Sequence, residues 1–209
     1  MKKRALIFAI CMALSTPTVS ARTDKEPDVY IVSQMIKPDV TNGYIEGHSL
    51  RAICKVVGEE YDISPELLQA IVQIESGGKV VPRQHSSYKG LCQICTKYCK
   101  SQMKRLGITD PSDPYSNIRL AADILDEYRD KKGMTYALMA YNMGPGGANK
   151  YHKRGKVSSY ARTAYRLEKK FKEENKCIKS YISSEDSLSA LGSATSQSRK
   201  KRKQGRTKK

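Results

Sequence analysis

The stretch from Ser64 to Gly78 can fold in few ways other than as a helix. Ser64 is a good N-cap, Pro65 suits the first helical position, and Glu66 sits in the first turn, where the helix dipole favours an acid. Gly77-Gly78 then offers the left-handed backbone that ends helices. Between these signals, Leu67, Leu68, Ile71, Val72 and Ile74 form an apolar stripe. A turn of about 100° per residue from Leu67 puts Ile71 at about 40°, Leu68 at about 100° and Glu75 at about 80°. A carboxyl group therefore lies inside the stripe, on the last turn. Burial and the negative end of the dipole both disfavour its charged form and raise its pKa. Such a carboxyl can donate a proton to a leaving oxygen. On this helix alone, a glutamate at a domain edge, paired with a lysine or a hydroxyl, is the better explanation of the residue.

Helical spacing recurs on either side. Leu50, Ile53, Cys54, Val57 and Tyr61 mark one preceding helix. Further helices are expected over Gly90 to Leu106, from Asn117 to about Lys131, from Thr135 to Met143, and from about Ser158 to Lys172. Lys79 to Lys89 reads as a polar loop with a small β excursion, and Val29 to Val32 as a short strand. The fold class expected is mostly α: one helical domain over residues 48–175, with a substrate cleft and at most a small β excursion. About 130 residues can bury a real core.

The ends differ from this middle. Lys2, Lys3 and Arg4, then Ala5 to Leu14, then Val19-Ser20-Ala21 have the form of an export signal over residues 1–21. Residues 22–47 form an N-terminal segment before the domain, and residues 176–209 a disordered basic tail. The net charge of +17 is concentrated at the termini, with +3 in the first four residues and +8 in the last eleven, leaving +6 for everything between. No apolar run reaches the ~18 residues a membrane span needs. The tail is expected to be drawn to anionic wall polymers, and nucleic acid is disfavoured because the folded part holds no DNA-reading pattern.

An exported chain meets an oxidising compartment, where cysteines favour disulfides. Cys54, Cys92, Cys95, Cys99 and Cys177 remain once residues 1–21 are removed. A structural disulfide is expected, with connectivity open. Zinc on Cys92, Cys95 and Cys99, with His85, Cys54 or Cys177 as a fourth ligand, is the weaker alternative because no second ligand pair exists. No metal and no organic cofactor are expected.

Three blocks then follow in order: Glu75-Ser76-Gly77, Gly90-Leu91-Cys92-Gln93-Ile94, and Ala140-Tyr141-Asn142-Met143-Gly144-Pro145-Gly146, with Tyr160 opening the last helix. Their order and spacing resemble the catalytic domain of the soluble lytic transglycosylases, a lysozyme-like family that acts on peptidoglycan. The resemblance covers about residues 50–172. It implies an α+β lysozyme-like fold and a glycan-cleaving enzyme in the cell wall or periplasm, working as a monomer on peptidoglycan strands. It implies Glu75 as the single general acid and base, with Ser76 and Gln93 at the saccharide cleft. It further implies Tyr141 as the phenol that orients the Glu75 carboxyl, Asn142 in the substrate groove, and Tyr160 in support of the glycan site. The expected reaction cleaves the MurNAc-β-1,4-GlcNAc bond and leaves a 1,6-anhydro end. A muramidase of the same fold would need a second carboxylate, for which Asp110, Asp113 and Asp123 are candidates. A non-catalytic glycan-binding or secretion-accessory module is the remaining alternative. The chain departs from the family at Cys92, where a methionine is usual, and at Gln84, near which a serine is common; Ser86 or Ser87 could take that serine's part. Cys92, Cys95 and Cys99 beside the cleft suggest a disulfide brace for the groove.

Overall fold

A computed structural model describes residues 37–81, 87–178 and 180–181. The export signal, the strand expected at Val29 to Val32, Gln84, His85 and Ser86, and the basic end of the tail lie outside these residues. Two compact units meet in sequence between Glu168 and Lys169. In the second unit residues 169–178 are helical, and Lys170 pairs with Glu174 at 3.5 Å.

The first unit is mostly α. Its elements are a hairpin of β1 (Val40–Thr41) and β2 (Tyr44–Ile45), helices α1 (Gly47–Tyr61) and α2 (Pro65–Glu75), and a hairpin of β3 (Tyr88–Lys89) and β4 (Ile94–Cys95). A 3₁₀ turn (Thr96–Tyr98) follows, then α3 (Lys100–Arg105), α4 (Pro114–Lys132), α5 (Met134–Lys153) and a helix α6 over residues 159–168. Both hairpins are antiparallel, with Val40 opposite Ile45 and Tyr88 opposite Cys95. Helix α4 is the central packing element, against α5 on one side and α1 and α3 on others, while α2 packs on α1. The core holds Ile53, Leu68, Ile71, Leu91, Ile118, Leu120, Leu125, Leu138 and Met139, all essentially without solvent contact. Burying side chains of this size contributes about 1.5–3 kcal/mol each.

Helix α2 has the limits its ends dictate, with Pro65 in the first turn and a left-handed Gly77 and Gly78 beyond the Ser76 cap. Helix α4 starts at Pro114, ahead of the expected Asn117, because Asp113 caps it by accepting the Ser116 N–H at 2.9 Å. Helix α5 passes the expected stop at Met143. It breaks at Gly144, whose φ of +73° suits glycine, and resumes to Lys153 because Ala148 has a place in the core.

The helix expected over Gly90 to Leu106 is corrected to a turn, a strand, a 3₁₀ turn and one short helix. Leu91, Cys92 and Ile94 do all face the core, which gives the segment its apolar spacing. Left-handed φ at Gly90 (+67°) and Gln93 (+47°) nevertheless forbids a helix through them.

The disulfide brace is also corrected. Cys54, Cys92, Cys95, Cys99 and Cys177 are all free thiols. Cys54 and Cys92 instead serve as small core residues, 0% and 1% exposed. Among the described residues no three His, Cys, Asp or Glu side chains converge as a metal site would require.

Candidate active site

Glu75 is the last residue of α2, half-buried, at the end of the apolar stripe Leu67, Leu68, Ile71 and Val72. Desolvation raises the pKa of its carboxyl above the ordinary glutamate value. One hydrogen bond works in the opposite sense: the Tyr160 hydroxyl donates to Glu75 Oε1 at 2.8 Å and favours the ionised form. Neither influence comes from a second carboxylate.

Tyr160 reaches this position from the first turn of α6. Ser158 caps that helix by accepting the Ala161 N–H at 3.2 Å, and Ala161 and Ala164 bury its inner face. The Tyr160 ring is 9% exposed, and burial together with the neighbouring Glu75 charge pushes its own pKa up. It therefore stays a donor at neutral pH.

Tyr141 makes a different bond from the one expected. Its hydroxyl donates to the Cys92 carbonyl at 2.7 Å, so the phenol bonded to Glu75 is Tyr160. Tyr141 still lies near enough to Tyr160 and Glu75 for both to raise its pKa, after burial as the main cause. The reason lies in the tertiary arrangement. Tyr141 projects from α5 toward the Gly90–Gln93 turn, whereas Tyr160 comes from the helix that follows.

The remaining candidates divide. Gln93 stands in the turn between β3 and β4, partly exposed, its Nε2 donating to the Gly90 carbonyl at 2.9 Å. That bond leaves its amide oxygen and second N–H for a ligand. Ser76 uses its hydroxyl to close α2, donating to the Val72 carbonyl and accepting the Gly78 N–H, both at 3.2 Å. Asn142 is exposed, two residues before the Gly144 break. Ser87, the one of the two alternative serines within the described residues, accepts the Thr96 N–H through its carbonyl at 3.3 Å. Cys92 lies under the site. Burial, then the proximity of Cys54 and of the Glu75 carboxyl, holds its thiol protonated.

The three carboxylates weighed as partners for Glu75 are engaged elsewhere. Asp123 takes both Arg105 nitrogens at 2.9 and 2.7 Å, Asp113 caps α4, and Asp110 accepts the Ser112 N–H at 2.8 Å. Asn117 drew attention only as the start of a helix, yet it is fully buried and bonded to the Cys92 N–H at 2.7 Å. Its visible signal was an amide among the apolar residues of α4, where a polar side chain needs a reason.

The two tyrosines make separable predictions. Tyr160→Phe removes the bond that stabilises ionised Glu75, so the Glu75 pKa rises further. Any activity needing protonated Glu75 then keeps its alkaline limb to a higher pH, and kcat/KM falls about ten-fold at its optimum, as for a lost hydrogen bond to a charged group. Tyr141→Phe leaves that limb in place. A pH–rate profile that moves with Tyr141→Phe and not with Tyr160→Phe would reverse the assignment.

Comparison with known proteins identifies the family. Residues 53–164 match the Transglycosylase SLT domain, so the match runs from α1 through α6. A protein of Enterobacteria phage PRD1 named Transglycosylase is 34% identical over 102 residues, which are 48% of this chain and 36% of the phage protein. The chain thus spans little more than a third of that relative's length. With more than half its residues inside the match, the chain belongs to the Transglycosylase SLT domain family.

Proposed function

We propose that this domain is a peptidoglycan lytic transglycosylase that cleaves the MurNAc-β-1,4-GlcNAc bond, with Glu75 as its single acid and base. The observation that carries the reading is the half-buried Glu75 carboxyl, raised in pKa, held by Tyr160 and influenced by no second carboxylate among the described residues. Glycoside hydrolysis ordinarily uses two carboxyl groups, one of them activating water or attacking the sugar. An intramolecular nucleophile removes the need for the second.

Protonated Glu75 donates to the oxygen linking the two sugars, the C1–O bond breaks, and positive charge develops at muramyl C1. The ionised Glu75 then accepts the proton of the muramyl C6 hydroxyl as O6 bonds to C1. The carboxyl ends as it began, protonated, and no water is consumed. A pKa above the usual carboxylate range suits both halves, because the same group must be a competent acid and then a competent base. In this reading Gln93, Asn142 and Ser76 line the saccharide groove, and Gln93, with its amide oxygen and one N–H unspent, bonds a sugar. The site of action would be the cell wall, reached through the export signal read in residues 1–21.

Digestion of purified peptidoglycan followed by mass analysis of the released fragments tests this reading. Products one water lighter than hydrolysis products are expected throughout. Fragments at the hydrolysis mass would make the protein a muramidase, and no release at all would leave a glycan-binding module.

A further inference from the structure

We propose that Asn117 is a positioning residue for the glycan, acting through the turn that carries Gln93. This rests on the function proposed above. Asn117 lies in the first turns of α4 without solvent contact. Its Oδ1 accepts the Cys92 N–H at 2.7 Å, and its Nδ2 donates to the Lys89 carbonyl at 2.9 Å and the Pro111 carbonyl at 2.6 Å. Both donors and the acceptor of one buried amide are thus spent on backbone, two of the three bonds on the chain flanking Gly90.

The turn is shaped to this side chain. Gly90 has φ +67°, and a Cβ on it would stand 2.4 Å from the Asn117 amide carbon and nitrogen. Glycine is required there both for the conformation and for the approach. On the far side, Tyr141 donates to the Cys92 carbonyl at 2.7 Å. The Cys92 residue is therefore held at its N–H by α4 and at its C=O by α5, and the next residue is Gln93, kept at a left-handed φ of +47°. A non-glycine residue in that region carries strain and persists only where its surroundings hold it. The clamp supplies that hold. Released from Asn117, the turn relaxes and the Gln93 amide leaves its place at the groove. Glu75, anchored on α2 and bonded from α6, stays where it is.

The loss should therefore fall on substrate binding and should run through Gln93. The experiment compares wild type, Asn117→Ala, Gln93→Ala and the double variant on purified peptidoglycan, with circular dichroism confirming the fold of each. Asn117→Ala is expected to raise KM roughly ten-fold and change kcat less than about two-fold, since a small misplacement of a positioning group is costly. The double variant is expected to be no worse than about two-fold below Gln93→Ala alone, because residues acting through one contact are not additive. Losses that multiply, or a loss confined to kcat, would overturn the proposal. So would an unchanged KM in Asn117→Ala.

Should Asn117→Ala fail to fold, Tyr141→Phe releases Cys92 from its other side by removing a single hydroxyl, and the same KM loss, non-additive with Gln93→Ala, is required of it. Wild type that releases no fragments overturns the proposed function itself. Active wild type beside an unaffected Asn117→Ala overturns this inference alone.

Discussion

Glu75→Gln is expected to abolish the proposed wall lysis while leaving the protein folded and no less stable at neutral pH. Glutamine keeps the shape and can still accept the Tyr160 hydrogen bond through its amide oxygen, but it can neither give nor reclaim a proton. General acid–base contributions are worth roughly 10²–10⁴-fold each, and this residue supplies both, so the loss should reach the upper end of that range or exceed it. The stability half follows from the sign of the pKa shift. Glu75 has a higher pKa folded than unfolded, because burial penalises the carboxylate. The folded state therefore binds the proton more tightly, and wild-type stability falls as pH rises from the ordinary glutamate value through the raised one. Above that window wild type bears an ionised, half-buried carboxyl that the variant lacks. Thermal melts at neutral pH should place Glu75→Gln at or above wild type, and the advantage should vanish in acid. Lysis of purified peptidoglycan, read as loss of turbidity, checks the activity half. Retained lysis would sink the catalytic assignment, and a melting temperature well below wild type would remove the claim that Glu75 is held at a cost.

Legibility in the sequence followed the range of the interaction. Helix α2 was readable because its stop and start signals are local: Ser64-Pro65-Glu66 at one end and Gly77-Gly78 at the other. The place of Glu75 at the buried face was readable for the same reason, since position on a wheel needs only the helix. The segment from Gly90 to Leu106 misled because Leu91 and Ile94 share helical spacing, while its shape comes from Asn117, twenty-five residues beyond the Cys92 it holds. Which tyrosine meets Glu75 was beyond reach. Tyr141 and Tyr160 both point into the same region, and the outcome depends on how α5 breaks at Gly144 before the chain turns into α6. The cysteines were read through the compartment the leader implies, whereas their places in the fold follow from packing. Cys54 and Cys92 fill core positions where a small apolar side chain fits.

Arg119 is the other residue whose loss should be severe, through stability. It lies on α4, its side chain 8% exposed, and grips Glu60 of α1, 20% exposed, with Nε at 2.9 and 3.1 Å and a terminal nitrogen at 2.6 Å. Its other terminal nitrogen donates to the Leu106 carbonyl at 3.4 Å. Burial alone would disfavour this charge; the bond to Glu60 and its opposite charge outweigh that and keep the guanidinium more basic than usual. Arg119→Met leaves Glu60, only partly open to solvent, without its partner, and breaking such a pair costs toward the lower end of the range of about 3–5 kcal/mol typical of a fully buried one. Glu60→Met strands the arginine and should cost a similar amount. The double variant Glu60→Met with Arg119→Met removes both charges, and most of the loss should return, since well-packed apolar residues often replace a buried pair at little cost. Equilibrium denaturant unfolding of the four proteins measures all three values. The pair joins α1 to α4, the helix that also bears Asn117 two residues earlier. An Arg119→Met protein that remains folded should therefore keep its kcat and lose affinity for the wall, as the clamp on the Gly90–Gln93 turn loosens with the helix that carries it. Single losses below about 1 kcal/mol, adding simply in the double variant, would show the pair to be no more than a surface contact.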